Sequence, residues 1–448
     1  MTTNRENAPR RPGAETPISR RVFTGAALAT LFACTRSGEA PPSSAPRPSG
    51  ALSPPLRSSP EPPPDPEPTG EPQAPAPDPL TDSAPREAQV LPLFREHPAL
   101  KTKLPHVALG DFPTPVERLT ELGDHLGIAA LYIKRDDISG EPYGGGKTRK
   151  LEFLLADAKR AGARTVVTFG GAGSNHGVAT AAYARRLGLK TRLLLLPEPS
   201  TDHVRENLLL DHSFGAELRL SPRRGQAEAA ARRGSAGDAP GETPYVIARG
   251  GTSLLGNIGF VNAAFELKAQ IGLGRMPEPD WLYIAMGTMG GAVGLSVGLK
   301  AAGLKTRVVA VRASSPDTSS EARMRTMFDE TVDSLRALDP AFPRLRYRDA
   351  EVLLAGGYLG EGYARPTRKS ENAIDVARRR AGLGLENTYT GKAFAALLDD
   401  APKLSDKVVL FWHTHNSRVM DVSGVDYRDL PREFHYYFAG RGRAAPTR

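Results

Sequence analysis

Three short loops hold the residues from which chemistry could be built. Gly144-Gly145-Gly146-Lys147-Thr148-Arg149-Lys150 lies between a strand-like run and a helix-like run, and offers amines on a glycine approach. By itself it leaves three readings of Lys147 open: a phosphate grip, a nucleophile or a surface charge. Gly287-Thr288-Met289-Gly290-Gly291-Ala292-Val293-Gly294 follows a second strand-like run and opens a helix. Glycines there let backbone N–H groups close on an anion, and a helix N-terminus adds partial positive charge. The loop has neither the lysine of a nucleotide P-loop nor the G-x-G-x-x-G of a dinucleotide site. Gly170-Gly171-Ala172-Gly173-Ser174-Asn175-His176-Gly177 puts Ser174, Asn175 and His176 at a strand end, where side chains meet ligands in open α/β sheets. Each loop also has a structural reading: tight turns for the glycines, an N-cap for Ser174, an exposed ring for His176.

Combined, the three loops meet one requirement. Pyridoxal 5'-phosphate (PLP), a phosphorylated aldehyde, needs a lysine to hold it as an imine, amide donors for its phosphate and a polar group for its ring oxygen. The surrounding elements can position such a site. Leu131–Ile133, Thr165–Phe169, Thr191–Leu196, Trp281–Met286, Val308–Val311 and Val408–Trp412 read as strands. Arg149–Arg160 reads as an amphipathic helix with Leu151, Leu154, Leu155 and Ala158 on one face, and Val178–Leu187 as another. This alternation predicts mostly parallel sheets covered on both faces.

The chain has 448 residues, a formal charge of +9 and one cysteine, Cys34, so it forms no intramolecular disulfide. No zinc-finger spacing, RNP-like aromatic motif or dense basic stripe points to a nucleic-acid partner. Ser19-Arg20-Arg21-Val22-Phe23 resembles a twin-arginine export signal, and the apolar run to Ala33 is too short to span a bilayer. Leu31-Phe32-Ala33-Cys34 resembles a bacterial lipobox, with Phe32 bulkier than usual at its position. From Thr35 to about Val90 the chain is rich in Pro, Ser, Ala and Glu, with 17 of its 40 prolines between Pro41 and Pro85. Such a segment cannot bury enough surface to offset its ordering entropy and reads as a disordered tether. The expectation is an exported protein on the periplasmic side, anchored by lipidated Cys34, and a cytoplasmic one if the signal is not used.

From Phe112-Pro113-Thr114-Pro115 to Arg418 the sequence resembles fold-type II PLP enzymes of the aminocyclopropane-carboxylate deaminase and D-cysteine desulfhydrase group. The resemblance rests on Lys134-Arg135-Asp136-Asp137, GGGKTRKLE, GSNHG, Gly362-Tyr363-Ala364-Arg365-Pro366-Thr367 and Tyr389-Thr390-Gly391-Lys392-Ala393. It implies an α/β fold of the tryptophan synthase beta-like kind, two open twisted sheets with PLP in the cleft between them. The implied divisions are a signal segment 1–34, a tether 35–90, a larger domain 91–149 plus 259–440, a smaller domain 150–258 and a tail 441–448. A homodimer is the usual assembly of this fold.

The resemblance also assigns roles. Lys147 matches the lysine that holds the cofactor, and Lys150 is read as a solvated cation. Gly287, Thr288, Met289, Gly290, Gly291 and Ala292 match the phosphate loop. The family usually has Thr where this chain has Gly291, and Thr288 is the available substitute. Asn175 matches the partner of the ring oxygen. Ser174 matches a serine that meets the substrate carboxylate or relays a proton. Tyr363 and Tyr389 match two substrate-facing tyrosines. Thr390 takes the position facing the pyridine nitrogen, where the deaminases use Glu. A neutral hydroxyl there leaves the nitrogen unprotonated and the ring a weaker electron sink. That favours β-elimination over cyclopropane ring opening, as does His176 after Ser-Asn. His413-Thr414-His415-Asn416 replaces the family's His-Thr-Gly-Gly, which adds His415 to the substrate pocket. The implied activity is a lyase acting on a small amino acid such as D-cysteine. The alternatives are an aminocyclopropane-carboxylate deaminase and a non-catalytic amino-acid-binding lipoprotein.

Overall fold

The apolar runs form two sheets because their side chains are buried on both faces and the connections between them are helical. The computed structural model describes residues 90–221, 223–233 and 243–439. The amino-terminal readings, Cys34 among them, and the tail 441–448 lie outside the described residues. The strands are β1 (Val116–Arg118), β2 (Ala130–Lys134), β3 (Thr165–Gly171), β4 (Lys190–Leu196), β5 (Glu217–Leu220), β6 (Tyr245–Val246), β7 (Trp281–Met286), β8 (Arg307–Arg312), β9 (Val352–Ala355) and β10 (Val408–Trp412). A six-stranded sheet runs β1-β2-β10-β7-β8-β9 and a four-stranded sheet runs β5-β4-β3-β6. The edge pair β1–β2 is antiparallel. The pairs β2–β10, β10–β7, β7–β8 and β8–β9 of the larger sheet are parallel, as are those of the smaller. The fold is therefore α/β with two open, mostly parallel sheets.

Parallel order brings the carboxyl ends of several strands to one side of each sheet, where ligands bind in such folds. The helices that follow are longer than their apolar periodicity suggests. One spans Lys147–Arg160, so Lys147 is its first residue. The next spans Asn175–Arg186, where Ser174 caps the first turn by accepting from Gly177 N (3.2 Å).

Helix Leu254–Gly272 packs against both Gly290–Ala301 and Lys147–Arg160 by backbone approach. A Cβ on Gly259 would lie 2.1 Å from Arg149 O, and one on Gly294 2.4 Å from Asn257 O. A helical glycine costs about 1 kcal/mol relative to alanine; here it allows a contact that no side chain permits. Near the chain's end, Leu430, Phe434, Tyr437 and Phe438 join the apolar core of the smaller sheet, together with Leu193, Leu195 and Leu208. Among the described residues, no helix is long and apolar enough to cross a membrane.

Candidate active site

A cavity of about 270 Å³ opens between the two sheets. It is lined by the ends of β7 (Ile284–Met286), β3 (Gly170–Gly171) and β4 (Leu196), and by Thr414 and His415 beyond β10. Lys147, Ser174, Asn175, His176, Gly287, Thr288, Met289, Gly291, Ala292, Tyr363, Tyr389, Thr390 and His415 all face it. Gly290 is not among the lining residues.

The first turn of helix Lys147–Arg160 divides its cations. Arg149 turns away from the cavity, 1% exposed, and grips Asp136 through Nε and Nη2 (2.8 and 2.7 Å) and Glu266 through Nη1 and Nη2 (2.8 and 3.0 Å). Lys134 adds bonds to Glu266 (2.6 Å), Thr114 O (2.6 Å) and Gln270 (2.7 Å), and the Trp412 indole donates to Asp136 (2.7 Å). Two cations meet two carboxylates here. Burial pushes the Glu266 carboxyl up, but Arg149 and Lys134 outweigh it and hold the group down at about 2.

Lys147 differs. Among the described residues its Nζ takes no hydrogen bond. Burial lowers its affinity for a proton, against the pull of Glu386. Lys150 is also buried, not the solvated cation expected from sequence. Its Nζ donates to Gly250 O (3.2 Å) and Thr252 Oγ1 (3.0 Å), and its pKa is lowered well below the usual value by burial and then by Lys147. The helical spacing of three puts Lys147 and Lys150 on one face.

Lys150 reaches the loop that starts helix Gly290–Ala301. A Cβ on Gly290 would lie 2.8 Å from Lys150 Nζ and 2.3 Å from Asn257 Oδ1. Met289 holds the turn at φ 70°, and Thr288 shares a hydrogen bond with Thr252 (2.6 Å).

Across the cavity, Asn175 Oδ1 accepts from Asn207 (3.0 Å), and its amide nitrogen lies 3.5 Å from His415 Nδ1. Burial pushes His415 down to about 4, against the pull of Glu386, so it is neutral near pH 7. His176 is 2% exposed, not on the surface, and burial beside Lys147 and Lys150 keeps it uncharged. Asn416 does not line the cavity. It accepts from Gly144 N (2.8 Å) and so ties the glycine loop to the segment after β10. The Tyr363 and Tyr389 hydroxyls share a hydrogen bond of 2.6 Å. Burial, then each tyrosine's neighbours, raise the pKa of Tyr363, and the Tyr389 pKa is also raised, so both hydroxyls are protonated. Thr390 Oγ1 accepts from Glu386 N (3.0 Å) and donates to Glu386 Oε1 (3.3 Å).

A family model described as pyridoxal-phosphate dependent enzyme matches residues 107–415. The chain belongs to the pyridoxal-phosphate dependent enzymes. A D-cysteine desulfhydrase of Yersinia pestis (strain Pestoides F) is 35% identical over 326 residues, covering 70% of this chain and 94% of that protein. A D-cysteine desulfhydrase of Yersinia enterocolitica is 34% identical over 324 residues, with the same coverage of 70% and 94%. Among solved structures, an ACC deaminase homologue superposes with a TM-score of 0.60 at 31% identity, covering 73% of this chain and 95% of that one.

The cavity of this pyridoxal-phosphate dependent enzyme fits its cofactor. The free N–H groups at the start of helix Gly290–Ala301, the Lys150 Nζ donor and the Thr288 hydroxyl suit a phosphate. A buried amine with a lowered pKa suits an aldehyde. Two cavity carboxylates escaped the sequence reading. Glu386 precedes Thr390 by four residues and accepts from the N–H groups of Thr388 (2.6 Å), Tyr389 (2.8 Å) and Thr390 (2.8 Å). Burial acts against its charge, but His415, His203 and these N–H groups hold its pKa below the usual range. The start of helix Thr390–Asp400 was the available signal, since acidic residues favour that end. Glu198, after β4, gave no signal in sequence.

Proposed function

We propose that the protein is a PLP-dependent lyase that removes a β-substituent and the amino group from a small amino acid. D-Cysteine is the substrate that its relatives suggest, with pyruvate, sulfide and ammonia as products. Lys147 is the observation that carries this reading: an amine whose pKa burial lowers, in one cavity with an anion cradle and hydroxyl donors. Thr390 supports elimination over ring opening. It is a neutral hydroxyl where the deaminases have a carboxylate, and its bonds are to Glu386, accepting from the N–H and donating to Oε1; a neutral group suits an unprotonated ring nitrogen.

When bound, PLP supplies an aldehyde that captures the substrate amine and a conjugated ring that takes up the electron pair left at Cα. Lys147 Nζ is the base for the Cα proton. Ser174 Oγ accepts from Gly177 N and keeps its own proton for the substrate carboxylate. Asn207 fixes the side-chain amide of Asn175, which leaves the amide nitrogen to donate to the cofactor's ring oxygen. Tyr363 and Tyr389 share one hydrogen bond, so one hydroxyl proton remains available to the substrate side.

The test is pyruvate and sulfide release from D-cysteine, β-chloro-D-alanine, L-cysteine and aminocyclopropane carboxylate. D-Cysteine should give both products. Turnover of the cyclopropane alone would replace this reading with the deaminase one. Protein that stays colourless with added PLP would leave only a binding role.

We also propose export with lipidation at Cys34, supported by the position of the sole cysteine at the end of the apolar run. Membrane-fraction protein that persists in Cys34→Ser would defeat it.

A further inference from the structure

Glu198 is held by two hydrogen bonds, with one oxygen left over. Its backbone N–H donates to Tyr437 Oη (3.0 Å), and Oε2 accepts from Gly173 N (2.7 Å). Its head lies against the glycine of the neighbouring strand end: a Cβ on Gly171 would fall 1.6 Å from Oε1. Oε1 is shut off from solvent and has no partner among the described residues. The side chain lines the same cavity as Lys147, Ser174, Tyr363 and Tyr389.

Several of the cavity's other polar groups already have work. The glycine loop and Lys150 suit the phosphate, Lys147 the aldehyde, Asn175 and Thr390 the ring, and Ser174 the substrate carboxylate. The substituent on Cβ is the group still without a protein partner. We propose that Glu198 donates a proton to the leaving group on Cβ, so that the cavity turns over β-hydroxy amino acids, D-serine being the simplest, as well as β-thiols. This rests on the β-elimination reading.

The step balances. The electron pair left at Cα forms the Cα=Cβ bond. The Cβ–O bond breaks with its pair on oxygen, and the Glu198 proton joins that oxygen to release water. The carboxylate regains a proton from solvent, and hydrolysis of the enamine gives pyruvate and ammonia. Thiols ionise near ~8.5, so a thiolate leaves unaided. Water ionises near ~15.7, so hydroxide needs the proton. Burial pushes the Glu198 carboxyl up to about 7, against the bond from Gly173 N–H. It is therefore a competent acid near neutral pH. The titratable groups around it are Tyr363 and Tyr389, Tyr437 at its backbone, and His203, which bonds Gly173 O (3.2 Å).

The experiment compares PLP-loaded wild type and Glu198→Gln on D-serine, D-cysteine and β-chloro-D-alanine. Wild type should release pyruvate from D-serine, with kcat falling as pH rises through about 7. Glu198→Gln should lose ~100-fold or more in kcat on D-serine, the usual scale of general-acid assistance, and lose that pH limb. Its turnover of the other two substrates should change only a few-fold. Its visible cofactor band and its affinity for D-alanine, read by perturbation of that band, should be kept. Wild type active on D-cysteine but inert on D-serine would overturn the proposal alone, as would an equal loss on all substrates. Wild type inert on all three would overturn the β-elimination reading with it.

Discussion

One helical turn contains both a saturated charge and two exposed to chemistry. Arg149 is matched by two carboxylates at hydrogen-bond distance. Lys147, two residues earlier, meets none, and Lys150 meets only a carbonyl and a hydroxyl. The first arrangement holds the fold together, because removing one member of a buried ion pair leaves the other uncompensated. The second leaves amines whose bonding is incomplete: the lowered pKa of Lys147 suits a nucleophile, and Lys150 would regain its proton beside a bound phosphate. Satisfaction of polar groups therefore separates support from function within four residues.

Four substitutions can break or sharpen that contrast. Lys147→Ala should lower turnover by ~10³-fold or more and abolish the visible band of lysine-bound cofactor, while the urea midpoint stays near wild type. A large stability loss would show that Lys147 belongs with the support. Arg149→Met should do the opposite. It should cost ~3–5 kcal/mol in urea unfolding by stranding Asp136 and Glu266. Lys150→Met should weaken PLP binding by ~10–100-fold in a titration of the apoprotein, as one charge-assisted phosphate bond is lost. It should keep the Lys147 band at saturating PLP, and loss of that band would mean that Lys150 is the covalent residue.

The smallest expected effect is on acid stability. The Glu266 carboxyl is held at about 2 in the fold, below its ordinary 4.5. Its contribution is thus present above pH 4.5 and lost as pH falls through about 2. Acid titration by circular dichroism should show stability falling across that window, and Glu266→Gln should flatten the fall. An unchanged profile would place the acid sensitivity in another carboxylate.

Much of this was legible in sequence where the cause is local. Trp281–Met286 and Val408–Trp412 read to the residue, because long apolar runs closed by polar loops have one plausible state. The short edge strands β1, β5 and β9 did not, since half-exposed segments of three or four residues carry too little pattern. The glycine loops marked the cofactor cradle because backbone approach restricts residue type locally. Lys150 was misread because its partners Gly250 and Thr252 lie about a hundred residues on. Lys134-Arg135-Asp136-Asp137 was visible as a motif, but its bonds to Glu266, Gln270 and Trp412 depend on three distant elements. Asn416 was noted as a departure near the ring and proved to be a tie to Gly144. Glu198 and Glu386 are ordinary acids in one dimension, and only the fold places them in the cavity.

The glycine crossing of helix Leu254–Gly272 with its two neighbours has an evolutionary consequence. It fixes the distance between the Lys147 turn and the phosphate loop by main chain against main chain. Side-chain cores can drift and repack as sequences diverge, but this spacing has no such adjustable part. A mutational scan should therefore find Gly259 and Gly294 closed even to alanine, while the apolar residues around them accept exchange. Relatives with other substrates can change the walls of the pocket and still keep its ruler.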